Sequence, residues 1–147
     1  MNVKGAIIYL PVEFPERSVT FYKNLFCDTP DIFLEDGLII IELPNLNLYL
    51  IEKNKFAAQY NLKTGRFVHI PKDNIGTIIS CILSSEEEVD KALIKVSEYG
   101  GKVMHNATTN EALGIYAGYF SDPDGHIWEL AYYLPEYDKI FSFVNPN

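Results

Sequence analysis

A chain of 147 residues, 48% hydrophobic and 22% charged, can fold as one domain or as two small modules sharing a core, and is too apolar to stay disordered. A net charge of −8 and a pI near 4.8 argue against nucleic acid or an anionic membrane surface as a partner. That charge would suit a cationic small molecule, although it speaks first to solubility.

The chain opens on an alternating apolar run over residues 4–12, which predicts a strand. Pro15 suits a first helical turn, and Val19, Phe21, Tyr22, Leu25 and Phe26 form an apolar stripe at helical spacing, so a helix is expected over Pro15–Phe26. Three short strands follow at Asp31–Glu35, Leu38–Leu43 and Leu46–Glu52. Asp36-Gly37 marks a hairpin between the first two, and Pro44-Asn45 turns the chain into the third. Residues 53–74 carry mixed signals, with one helical turn at residues 55–60 and loop from Pro71 to Gly76.

The second half repeats this order. Residues 77–83 read as an apolar strand. Ser84 to Glu88 have capping-box spacing and acidic residues in the first turn of a helix over residues 86–99, which Gly100-Gly101 stops. Strands are then expected at residues 102–105, Ile115–Ser121 and 126–133. Two β-α-β-β-β units form an internal repeat. The expected organisation is a single domain: module one over residues 1–53, a linker over 54–74, module two over 75–135 and a tail over 136–147. Neither unit closes a core alone, so the fold class expected is α+β, with two βαβββ modules forming a curved, mostly antiparallel sheet around a shared cavity.

No apolar run is long enough to span a bilayer, and residues 5–10 lack the basic leader and cleavage site of a secretory signal. The expected location is the cytoplasm. Cys27 and Cys81 lie far apart, outside any CxxC spacing, and are expected to be inert apolar side chains. The tail is too apolar at Ile140 to Phe143 to remain free, and is expected to pack across its own domain or onto the second subunit of a homodimer.

The densest signal is the stretch from Gly114 to Leu130. Asp122-Pro123-Asp124-Gly125 is a tight turn between two strands, and Glu129 is a carboxylate within the apolar strand Ile127-Trp128-Glu129-Leu130. With Gly118-Tyr119-Phe120 before the turn and His126-Ile127-Trp128-Glu129 after it, the segment closely resembles the vicinal-oxygen-chelate superfamily. That group includes glyoxalase I, extradiol dioxygenases and the fosfomycin- and bleomycin-resistance proteins. The resemblance spans residues 4–133 and implies that Glu129 stands at the position of the last metal ligand in the superfamily's metalloenzymes.

The other ligand positions implied by the resemblance fall on Ile7 and Thr77, with Leu48 and Leu50 as the inward candidates on the last strand of module one. None of these is a metal ligand, and one carboxylate cannot hold a catalytic divalent ion. His69, His105 and His126 are isolated, and His126 points away from Glu129 on a strand. No metal and no cofactor are therefore expected. Strand parity adds Tyr9 to Ile7, and Ile79 to Thr77. On the penultimate strand either Ile115, Ala117 and Tyr119 or Tyr116, Gly118 and Phe120 face the site. The resemblance to the dioxygenases favours the set with Ala117 and Tyr119. Trp128, on the other face, is expected to anchor the core.

Two functions fit these residues. The first is a metal-independent small-molecule-binding protein of the bleomycin-resistance type, with Ile7, Tyr9, Leu48, Leu50, Thr77, Ile79 and Ala117 lining the site. The second is a glyoxalase-type lyase or isomerase in which Glu129 is the general base and Tyr119 polarises a carbonyl. A purely structural or regulatory dimer is a third possibility.

Overall fold

The computed structural model describes residues 1–26 and 31–136. Cys27 and the apolar tail at Ile140 to Phe143 lie outside the described residues. Module one runs β1 (Ile7–Val12), α1 (Pro15–Phe26), β2 (Asp31–Glu35), β3 (Leu38–Leu43) and β4 (Leu46–Glu52). A helix, α2 (Lys53–Thr64), follows. Module two runs β5 (Ile78–Ile82), α3 (Glu86–Glu98), β6 (Lys102–Asn110), β7 (Ile115–Ser121) and β8 (Ile127–Tyr133).

The eight strands form two separate four-stranded sheets of identical topology, ordered β1-β4-β3-β2 and β5-β8-β7-β6. In each, the first strand pairs in parallel with the last, and the remaining pairs are antiparallel. A helix crossing over between β1 and β2, or between β5 and β6, leaves a gap that the last strand fills. The β2–β3 hairpin turns at Asp36 and Gly37, whose φ values of 48° and 75° explain why Asp-Gly stands there.

Each sheet buries one face against its own helix. In module one Leu10, Val12, Ile39, Ile41, Leu48 and Leu50 pack under Val19, Phe21, Tyr22 and Leu25 of α1. In module two Ile79, Phe120, Trp128 and Leu130 pack under Val89, Leu93 and Val96 of α3. Phe120 and Trp128 stack with centroids 6.0 Å apart and planes 6° from parallel. A Cβ at Gly118 would stand 2.5 Å from Leu93 Cδ1, so glycine is what lets α3 approach this strand. That contact also fixes the parity of β7: Gly118 faces the helix and Tyr119 faces away from it.

The largest difference from expectation is α2. It forms a full helix rather than a single turn, because Glu52 caps it by accepting hydrogen bonds from the Asn54 and Lys55 amides at 3.0 and 3.1 Å. Beyond the expected four residues, β6 extends to Asn110 through two irregularities in its pairing with β7.

Candidate functional site

The face of sheet two opposite α3 carries the chemistry. Glu129 on β8 is paired across the parallel ladder with Ser80 on β5 and across the antiparallel ladder with Tyr119 on β7. Cross-strand neighbours point to the same face, so three polar side chains meet in a row. Ser80 Oγ donates to Glu129 Oε1 at 2.7 Å, and the Tyr119 hydroxyl donates to Glu129 Oε2. Each carboxylate oxygen therefore holds one neutral donor. His105 on β6 extends the row, its ring edge-on to Tyr119 at 6.4 Å.

Glu129 is half-buried rather than enclosed, and Ser80 is exposed. The carboxylate accepting its proton raises the Tyr119 phenol to about 12, with burial and the charge of Glu129 adding to the effect. Tyr119 is thus a proton donor throughout the physiological range. Tyr133 is raised too, by burial first and by Glu129 second. Around the carboxylate the same face is apolar. Ile78 is 49% exposed, while Ile115, Ala117 and Ala131 form a cluster joined by Ile82 and Tyr133. Among the described residues, none of the ion pairs involves Glu129.

This donor set does not fit a divalent metal. A catalytic ion needs about three protein ligands, and Glu129 has two hydroxyls and aliphatic carbons beside it. Among the described residues, no three His, Cys, Asp or Glu side chains gather where they could hold one.

The structure brings Tyr119, Ala117 and Glu129 to one face, and the parity of β1 puts Ile7 and Tyr9 on the side of sheet one away from α1, at 43% and 42% exposure. Four expected lining residues lie elsewhere. Leu48 and Leu50 are fully buried beneath α1, on the opposite side of the sheet from Tyr9. The residue of β4 beside Tyr9 is Tyr49, with its ring edge-on at 5.5 Å. Ile79 is buried on the α3 side with Trp128, and Thr77 lies exposed before β5 begins. Taking Thr77 as the start of the inward set shifted the parity by one, and a shift of one residue exchanges the two faces of a strand. Ser80 was missed for that reason. The available signal was that Ser80 is the one hydroxyl in an otherwise apolar Ile-Ile-Ser-Cys-Ile run.

Cys81 follows the same parity as Ile79, and burial pushes its thiol up to about 12, which keeps it protonated and unreactive at neutral pH. His69 and His105 are exposed and His126 is buried.

On the open face of sheet one the counterpart of the Glu129 row is aromatic. Tyr9 contacts Tyr49 and Tyr60 with centroids 5.5 Å from each, and Tyr60 contacts Phe56 at 5.0 Å. Tyr60 and Phe56 come from α2, so the helix that was read as a linker turn supplies half of this cluster. Burial and Tyr9 together raise the Tyr60 phenol.

The Asp-Pro-Asp-Gly turn has a structural task of its own. Asp124 is buried, its Oδ1 accepting from the Glu13 amide at 2.9 Å and from Arg17 Nη2 at 3.0 Å, and its Oδ2 from Ser18 Oγ at 3.0 Å. It secures the entry to α1. Asp122 closes the turn by accepting from the His126 amide at 2.9 Å. Gly125 has φ +95°, and a Cβ there would lie 2.1 Å from the Pro71 carbonyl oxygen.

Two βαβββ modules, the second with a carboxylate on a central strand of its sheet, define the class of protein as α+β. The family model described as the Glyoxalase/Bleomycin resistance protein/Dioxygenase superfamily matches residues 51–130, and the chain belongs to that superfamily. Among solved structures, a hypothetical protein from S. aureus is 26% identical, with 90% of this chain and 94% of that one covered at a TM-score of 0.72. A glyoxalase-related enzyme from Fulvimarina pelagi is 25% identical over 88% and 87%, also at 0.72. A lactoylglutathione lyase from Agrobacterium tumefaciens shares the fold at 17% identity and a TM-score of 0.63, over 86% of this chain and 91% of that one. No curated protein sequence matches the chain. Among the described residues no helix is long and apolar enough to cross a membrane.

Proposed function

We propose that the chain is a metal-independent small-molecule-binding protein that acts as a cytoplasmic homodimer and holds its ligand at Glu129. The observation that carries this reading is the carboxylate's setting: both oxygens are oriented by neutral hydroxyls, the surrounding face is aliphatic, and no cation of the described residues pairs with it. A half-buried carboxylate oriented this way retains lone pairs for a donor from outside. The complementary ligand is a cation with an apolar body, such as an amine or guanidinium on a hydrocarbon or aromatic frame.

The test is calorimetric titration of a panel of hydrophobic amines, each matched with a neutral isostere of equal size. Binding restricted to the amines, and weakened about 10- to 100-fold in Glu129→Gln, supports the reading. Equal binding of amines and isosteres contradicts it.

The contact between Tyr119 and Glu129 favours one alternative, a glyoxalase-type lyase or isomerase. Glu129 would take a proton from carbon beside a carbonyl, and Tyr119, protonated up to about 12, would donate to the developing oxyanion. Deuterium exchange at that carbon in 2-oxoaldehyde–thiol adducts, lost in both Glu129→Gln and Tyr119→Phe, would establish it.

A further inference from the structure

The ladder between β6 and β7 slips twice, once on each side of His105. Lys102 pairs with Ser121 and Val103 with Phe120, but Tyr119 then pairs with His105, and Ala117 with Thr108. Each slip is an extra residue on β6, the edge strand of sheet two, and such bulges re-aim side chains. In an unbroken ladder Met104 would stand opposite Tyr119. Instead Met104 is turned out, 52% exposed, and the imidazole takes the place beside the phenol ring. Gly118 permits this from the other strand. A Cβ there would lie 3.0 Å from the Ala107 amide nitrogen and 3.1 Å from the His105 carbonyl oxygen, so the bulged backbone closes onto β7 only against glycine.

Packing does not account for the arrangement. His105 is exposed and meets only the edge of Tyr119, and neither ring nitrogen has a hydrogen-bond partner among the described residues.

The open face of sheet two is divided by charge as a result. Ser80, Glu129, Tyr119 and His105 stand in one row across four strands, with the carboxylate toward one edge and the imidazole at the other. Lys102, opposite Ser121, shares that face and edge with His105, and no ion pair of the described residues involves it. Neither β6 nor β7 has an Asp or Glu along its length, in a chain with 20 acidic residues. Glu129 and His105 are two strands apart, about 10 Å at the ordinary spacing between strands. Tyr119 lies between them, and Ala117 and Ala131 form an apolar floor alongside.

We infer, building on the reading of Glu129 as the partner of a cation, that the ligand is amphoteric: an ammonium on Glu129 and a carboxylate about 10 Å away on His105 and Lys102, joined by a hydrocarbon or aromatic body that crosses Tyr119. His105 is then a binding residue whose ring N–H donates to the carboxylate, and Lys102 adds charge from the rim. An α-amino acid, with both groups on one carbon, is too short to reach both ends.

The test is calorimetric titration with four- and eight-carbon ω-amino acids and the matching alkylamines. The eight-carbon acid, whose extended length matches the two-strand spacing, should bind the parent about tenfold more tightly than octylamine. The four-carbon acid should show no such gain over butylamine. In Lys102→Gln/His105→Phe, confirmed as folded by circular dichroism, the gain should disappear, and His105→Gln, which keeps a donor, should retain part of it. An eight-carbon acid that binds no more tightly than octylamine, an equal gain in the four-carbon acid, or a gain that survives the double variant would overturn the inference. Octylamine against octanol, in the parent and in Glu129→Gln, reads the Glu129 end alone. A preference for the amine that depends on Glu129, without the gain from the carboxylate, overturns the amphoteric ligand and leaves the cation reading standing. Loss of that preference overturns both.

Discussion

The two modules have one topology and two kinds of open face. The third residue of β1, Tyr9, pairs with Tyr49 of β4, while the third residue of β5, Ser80, pairs with Glu129 of β8. On the helix side the modules are alike, each burying aliphatic and aromatic residues from every layer. On the open side one presents tyrosines in edge-on and tilted contact and the other a carboxylate with two hydroxyl donors. The helix side is constrained by packing, and packing demands the same residue types in both copies. The open side is free of that demand, and there the repeats have taken on different chemistry.

Substitutions on the shared side should therefore cost alike in both modules. Trp128→Ala and Phe21→Ala each remove a large, fully buried ring and should destabilise the chain by about 3–5 kcal/mol, measured by denaturant unfolding. A cost confined to one module would break the parallel. Asp124→Ala comes next, at about 2–3 kcal/mol, because it strips the Glu13 amide, Ser18 and Arg17 of a buried acceptor. Asp124→Asn, which keeps one acceptor oxygen, should recover part of that loss.

The open faces should respond unequally. Tyr119→Phe removes a donor from Glu129 and should cost about 1 kcal/mol, whereas Tyr49→Phe leaves its aromatic packing intact and should change stability by less than about 0.5 kcal/mol. A Tyr49→Phe loss equal to that of Tyr119→Phe would show that the tyrosine face is polar in function too.

The smallest effect is in alkali, and its largest shifts belong to module two. Burial raises Cys81 from its ordinary 9.0 to about 12, the Asp90 hydrogen bond with burial raises Tyr116 from 10.0 to about 12, and Glu129 with burial raises Tyr119 likewise. The unfolded chain gives up these protons first, so their contribution is complete below about pH 9 and is lost as pH rises toward 12. The melting temperature should be level to about pH 9 and then fall, less steeply in Tyr116→Phe.

Much of the fold was legible because its signals are local. Pro15 and the stripe from Val19 to Phe26 set α1, and Asp36-Gly37 set the hairpin, with the boundaries found in the structure. The pairing of Tyr119 with Glu129 was legible only through the pattern around the Asp-Pro-Asp-Gly turn. Leu48, Leu50, Ile79 and Thr77 were misplaced because alternation gives two faces without saying which one the helix covers. α2 lacked an apolar stripe and owes its existence to Glu52, a cap that a reading based on periodicity passes over.

The central claim is that Glu129 recognises charge. Titrating the parent and Glu129→Gln with one hydrophobic amine and its neutral isostere tests it directly. The account predicts that the parent prefers the amine by about tenfold or more and that the variant, folded as well as the parent, shows no preference. A parent that binds both equally, or a variant that keeps the preference, would contradict it.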